Sequence, residues 1–120
     1  MIIGLHHVQI TIPKNEEEQA KNFYCDLLGL EEVIKPETLQ GRGGFWLRVG
    51  NQEVHVGTEN GVERLATKAH LAYQVNNLHE WRNKLEENGI EIIESVPIPE
   101  MKRFEFRDPF HNRVEMLELL

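Results

Sequence analysis

Residues 68–75 read KAHLAYQV, and residues 5–12 read LHHVQITI. Both alternate apolar with other side chains, the period of a strand that buries one face, and both set a histidine near the start, His70 and His7. The elements downstream of each stretch also recur. After the first, residues 15–28 (NEEEQAKNFYCDLL) place Ala20, Phe23, Tyr24, Leu27 and Leu28 at helical spacing. Asn15 with Glu18 has capping-box spacing, Glu16 and Glu17 suit the N-terminal dipole, and Gly29 stands where a left-handed residue ends a helix. Three strand-like runs come next, EEVIK, GFWLRV and QEVHVG, the last two joined by a Gly50-Asn51 hairpin turn.

After KAHLAYQV the spacing predicts a helix from Asn77 to about Asn88, with Leu78, Trp81 and Leu85 on one face. Asn77 and Glu80 repeat the capping-box spacing, and Gly89 again marks the end. IEIIE, KRFEFR and RVEMLEL supply three further strands. The order is βαβββ, written twice. The expected organisation is one α+β domain over 1–120, with module one at about 1–60, a linker at about 57–67 and module two at about 68–120. The two modules are expected to pair into a curved mixed sheet that encloses a cup for a metal and ligand.

Subtraction sets the register of the repeat. Gly29 and Gly89, Val33 and Ile93, Trp46 and Phe106, Val54 and Val114, and His55 and Glu115 all lie 60 residues apart. His7 and His70 differ by 63, which one three-residue insertion in IPKNEEE explains. Four polar residues become two matched pairs, His7 with His70 and His55 with Glu115. Imidazoles and a carboxylate on rigid strands are good ligands for Zn, Ni, Fe or Mn, and leave coordination positions open for water or substrate. Glu115 and Glu118 must face opposite sides of their strand. A carboxylate turned inward needs a cation beside it, and the repeat selects Glu115 as that group. Of the other histidines, alternation turns His6 to the face opposite His7, places His79 in the first turn of a helix, and leaves His111 in the turn DPFHNR at a position of positive φ.

Composition narrows the partners. With 40% hydrophobic and 28% charged residues the chain can build an ordinary globular core. No apolar run reaches the roughly 20 residues that span a bilayer. The N-terminus lacks the basic start and cleavage site of a signal peptide, so a cytoplasmic protein is expected. Cys25 is the only cysteine, which rules out an internal disulfide. A net charge of -7 argues against a nucleic-acid partner.

LHHVQI, NFYCDLLGLEE, KAHLAYQV and FEFRDPFHNRVEMLEL, with the doubled plan, resemble the vicinal oxygen chelate superfamily across essentially the whole chain. That group includes glyoxalase I, fosfomycin-resistance proteins, methylmalonyl-CoA epimerase, extradiol dioxygenases and bleomycin-resistance binding proteins. The resemblance implies His7, His70 and Glu115 as the His-His-Glu metal set. It maps the fourth ligand, a glutamate in glyoxalase I, to His55, which weakens the transfer of glyoxalase chemistry. The stretch IPEMKRFEFRDP lacks the serines that bind phosphonate in fosfomycin enzymes, which argues against that subgroup.

These features point to a metal-dependent enzyme on a small oxygen-chelating substrate, with glyoxalase-like lyase or isomerase chemistry and Glu115 as the catalytic base. Phe45, Trp46 and Phe106 are expected as apolar walls, and Arg48, Arg103 or Arg107 as the group that orients an anionic substrate. The alternative is a non-catalytic small-molecule binder like the bleomycin-resistance members, which the acidic charge favours. A homodimer is expected, because a symmetric partner would bury sheet surface that so short a chain leaves open.

Overall fold

The computed structural model describes residues 1–120, and the chain divides into two units, Met1–Val62 and Glu63–Leu120. In the first, β1 (His7–Ile12) runs parallel to β4 (Gln52–Thr58). Next to β4 lies antiparallel β3 (Phe45–Val49), and then β2 (Glu31–Val33), so the sheet order is β1-β4-β3-β2. Strand alternation sends Ile12, Phe45, Leu47, Val54 and Val56 to one face, where they are buried with Ala20, Phe23, Tyr24 and Leu28 of the helical segment. Lys21 extends over the Phe45 ring at 5.4 Å, which marks the face that this segment covers.

The segment is not the regular helix that its spacing predicts. A short α1 (Glu17–Lys21) widens into a π-helical turn over Asn22–Leu27, where the Leu28 N–H donates to the Phe23 carbonyl at 2.9 Å. The extra residue in the turn lets the adjacent Phe23 and Tyr24 both reach the core, at 6% and 1% exposure. Asn15 does not cap. It takes the left-handed conformation at φ 68, which Asn tolerates, and the helix starts after Glu16 with no side-chain cap. The inserted residues of IPKNEEE displace the turn from the place where a cap would act.

The second unit repeats the plan. β5 (His70–Gln74) lies parallel to β8 (Arg113–Leu119), and β7 (Met101–Arg107) and β6 (Ile93–Glu94) extend the sheet antiparallel, in the order β5-β8-β7-β6. Here the helix forms as expected. α2 (Leu78–Glu87) is capped by Asn77, whose Oδ1 accepts from the Glu80 N–H at 3.3 Å. Glu118 also accepts from the Leu78 N–H at 2.8 Å and ties the helix start to β8. Leu78, Leu85, Phe104, Phe106, Val114 and Met116 form the core, and Arg82 lies over the Phe104 ring at 5.2 Å. Burial of each large side chain contributes about 1.5–3 kcal/mol.

One turn alters the register of the repeat. The first hairpin closes through Gly50 and Asn51 alone, with Gly50 at φ 61 as a type II′ turn needs at its first central residue. The second takes Pro109, Phe110 and His111, and His111 has φ 77 as its place in the sequence predicts. Asp108 holds this longer turn by accepting from the Phe110 and Asn112 N–H groups at 2.9 and 2.8 Å. The extra residue corrects the pairing of Trp46 with Phe106. Trp46 pairs with His55 and Glu105 with Glu115, so Trp46 corresponds to Glu105, and Phe106 turns to the core. No helix is long and apolar enough to cross a membrane.

Candidate functional site

Register places His7 and Gln9 of β1, Glu53 and His55 of β4, and Trp46 and Arg48 of β3 on the face of the first sheet that turns away from the helix. Three rings stack there. Trp46 and His55 lie 3.9 Å apart at 1°, and His55 and His7 lie 4.1 Å apart at 14°. His55 is buried, and its Nε2 meets Glu53 Oε1 at 2.9 Å. That bond, with Arg48 on the other carboxylate oxygen at 3.4 Å, holds the Glu53 carboxyl below its ordinary range. With Nε2 toward Glu53, Nδ1 keeps its lone pair in the ring plane, which the stacked rings do not cover. His6 corrects the expectation that it points away. β1 begins only at His7, so alternation does not reach His6, and its Nδ1 meets the His7 Nδ1 at 3.0 Å.

In the second unit His70, Glu105, Arg113 and Glu115 share the corresponding face. The His70 Nδ1 lies 2.9 Å from the Lys68 carbonyl. A carbonyl only accepts, so Nδ1 carries the proton and a neutral His70 keeps its lone pair on Nε2. Nε2 lies 3.8 Å from Glu115 Oε2, a nitrogen and an oxygen of the types that would hold a divalent ion. The buried Glu115 has its cation: Arg103 Nη1 donates to Oε1 at 2.6 Å, while Nε and Nη2 hold the Val96 carbonyl at 3.1 and 2.7 Å. Arg103 therefore fixes the carboxylate and leaves Oε2 toward His70. Beside it Arg113 grips Glu105 through two bonds of 2.7 and 2.6 Å and holds that carboxyl low.

The four residues fit a divalent metal in donor type, with His7 and His55 in one unit and His70 and Glu115 in the other. No group of three His, Cys, Asp or Glu side chains is gathered as a metal set. The expected substrate residues separate in a similar way. Trp46 lies on the polar face, whereas Phe45 and Phe106 are 2% and 0% exposed in the cores and cannot act as walls there. Register decides this, since neighbours on a strand face opposite ways. Arg48 and Arg103 are engaged with Glu53 and Glu115, and Arg107 Nη1 donates to the His111 carbonyl at 3.0 Å.

Sequence reasoning misses Lys35 and Arg42. Together with His6, His7, His55 and Trp46 they line a cavity of about 490 Å³ in the first unit. Arg42 has one signal, the run QGRGG, whose glycines allow a tight loop to present an arginine.

Comparison with known proteins agrees with this architecture. A solved Bacillus anthracis protein assigned to the glyoxalase family is 42% identical, covers 100% of this chain and 98% of its own, and superposes with a TM-score of 0.92. The FosX fosfomycin resistance protein of Listeria monocytogenes, solved with Mn(II) and sulfate, shares the fold at 17% identity and a TM-score of 0.78, over 100% of this chain and 93% of that one. The metallothiol transferase FosB of Staphylococcus haemolyticus is 27% identical over 97% of this chain and 84% of its own length. The profile of one family matches residues 4–116, and the chain belongs to the Glyoxalase/Bleomycin resistance protein/Dioxygenase superfamily.

Proposed function

We propose that this chain is a metal-dependent enzyme acting on a small oxygen-chelating substrate, with lyase or isomerase chemistry of the glyoxalase kind. The observation that carries the reading is the His70–Glu115 pair, in which the Lys68 carbonyl sets the histidine tautomer and Arg103 sets the carboxylate, so that one nitrogen and one oxygen stand 3.8 Å apart. In this reading His7 and His55 are the further metal-ligating residues. The family is one that includes metal-bound members, as the Mn(II) complex of FosX illustrates. Bound there, a divalent ion would supply Lewis-acid polarisation of two neighbouring substrate oxygens. Glu115, once substrate oxygens displace it as a ligand, would take the proton from one substrate carbon and return it to the neighbouring carbon, while Arg103 holds its Oε1. The protein acts as a homodimer in this reading, which sedimentation checks.

The test is metal analysis of protein purified without chelator, repeated on His7→Ala and Glu115→Ala, and then an assay of hemithioacetal isomerisation. One metal per chain, lost in both variants while circular dichroism is unchanged, is the expected result. A wild type that takes up no Zn, Ni, Fe or Mn and instead binds a cationic glycopeptide would replace the enzyme by a sequestering protein, the reading that the -7 charge favours.

A further inference from the structure

The loop between β2 and β3 carries a charge that the rest of the chain does not predict. Against 20 acidic and 13 basic residues overall, the cavity of about 490 Å³ beneath this loop is lined by Lys35 and Arg42 and by no carboxylate. The nearest acid on the sheet face, Glu53, is engaged by His55 and Arg48. Glu17 lines the adjoining cavity, which shares Lys35, Arg42 and Gly43, and its Oε2 lies 3.7 Å from where a Cβ on Gly43 would stand. A cleft of one sign in a protein of the opposite sign focuses field on a counter-ion.

The loop is built, not loose. Gly44 has φ 77 and lies so close to β4 that a Cβ would stand 2.1 Å from the Val56 carbonyl oxygen. Gly43 sits against Thr58, where a Cβ would stand 3.0 Å from the hydroxyl. The Lys35 ammonium donates to the Gly43 carbonyl at 2.9 Å and closes the loop on itself. Arg42 is therefore carried on backbone held to the sheet, and its guanidinium has no ion-pair partner, in contrast to Arg48, Arg103 and Arg113. Trp46, His55 and His7 line the same cavity as a stack of three rings.

We propose that this cavity binds the anionic end of a small ligand, a carboxylate or phosphoryl group held between Lys35 and Arg42, with the body of the ligand against the Trp46–His55–His7 stack. A guanidinium and an ammonium supply charge-assisted hydrogen bonds to such a group, and the rings favour a planar body. As a statement about the substrate this rests on the enzyme reading above. As a binding site it stands on the first unit alone and needs no metal.

The test uses the full chain stripped of metal and carrying Trp81→Phe, so that Trp46 is the single indole reporter. Phenylphosphonate and benzoate are titrated against its fluorescence, with benzamide as the neutral control and inorganic phosphate as competitor. Saturable binding of an aromatic anion is expected, weakened about tenfold or more by Arg42→Gln and by Lys35→Gln and weakened by salt, with benzamide at least tenfold poorer. The tighter of the two anions names the group as phosphoryl or carboxyl. Benzamide binding as well as the anions, unchanged affinity in both variants, or no saturation by about 10 mM would each overturn the proposal. Arg42 is exposed, and melting curves check that its variant is folded. A chain that holds metal but no anion sinks this proposal alone, whereas one that holds anion but no metal sinks only the enzyme reading.

Discussion

The two units share a strand order and differ in what their open sheet faces carry. On the first, His55 lies between Trp46 and His7 in a stack of rings, with one carboxylate, Glu53, at its side. On the second, the matching position is Glu115, and the neighbours are guanidinium groups, Arg103 on Glu115 and Arg113 on Glu105. The scaffold fixes the place, and the residue type then dictates the company. A buried imidazole is satisfied by ring faces and one hydrogen bond, but a buried carboxylate stays ionised only beside a cation.

The strongest challenge to this equivalence is in the cores. Phe45 and Phe104 occupy matching positions, both buried, and alanine at either should cost about 3–5 kcal/mol in denaturant unfolding. Clearly unequal losses would break the correspondence between the units. The faces should respond unequally. Arg103→Met strands a buried carboxylate and is expected to cost about 2–3 kcal/mol, while Arg48→Met, at a pair whose arginine is 44% exposed, should cost less than about 1 kcal/mol. In a metal titration Arg103→Met should also weaken binding about 10–100-fold, by freeing the carboxylate to rotate.

Titration next probes the second unit at both ends of the pH range. The Tyr73 hydroxyl is buried without a hydrogen-bond partner, and burial raises its pKa above the ordinary 10.0. The ionised phenolate is disfavoured in the folded chain, so stability present below pH 10 is lost as pH rises past that value. Tyr73→Phe should remove this alkaline loss and otherwise change stability by about 1 kcal/mol or less. At the acid end the sign reverses. Glu105 is held below its ordinary 4.5 by Arg113, so its contribution is present above pH 4.5 and is lost as pH falls below it, a loss that thermal melts should show absent in Glu105→Gln.

The smallest contrast lies at the helix starts. Asn77→Ala removes a cap and should cost about 1 kcal/mol in thermal melts. Asn15, at φ 68 and outside the helix, should accept glycine with a change of a few tenths of a kcal/mol.

Much of the fold is legible from local pattern. The doubled βαβββ order, the helix-ending Gly29 and Gly89, the cap at Asn77 and the left-handed His111 all come from period and backbone sterics, which act within a few residues. Local signals mislead where they meet a distant constraint. Asn15 and Glu18 have cap spacing, but the inserted turn before them uses Asn15 for its own geometry. Trp46 and Phe106 match by subtraction because a one-residue difference in the hairpin turns is invisible to alternation and reverses the face of every residue before it.

Sequence alone determined the two-module plan and the four positions His7, His55, His70 and Glu115, because identical folding rules act on each copy and leave an arithmetic trace. Tertiary structure decided the partners. Arg103 reaches Glu115 from twelve residues away, Trp46 stacks on His55 across a ladder, and the β2–β3 loop brings Lys35 and Arg42 over a face assembled from three strands. These contacts depend on register and on the burial of unlike charges together, and neither quantity exists until the strands have paired.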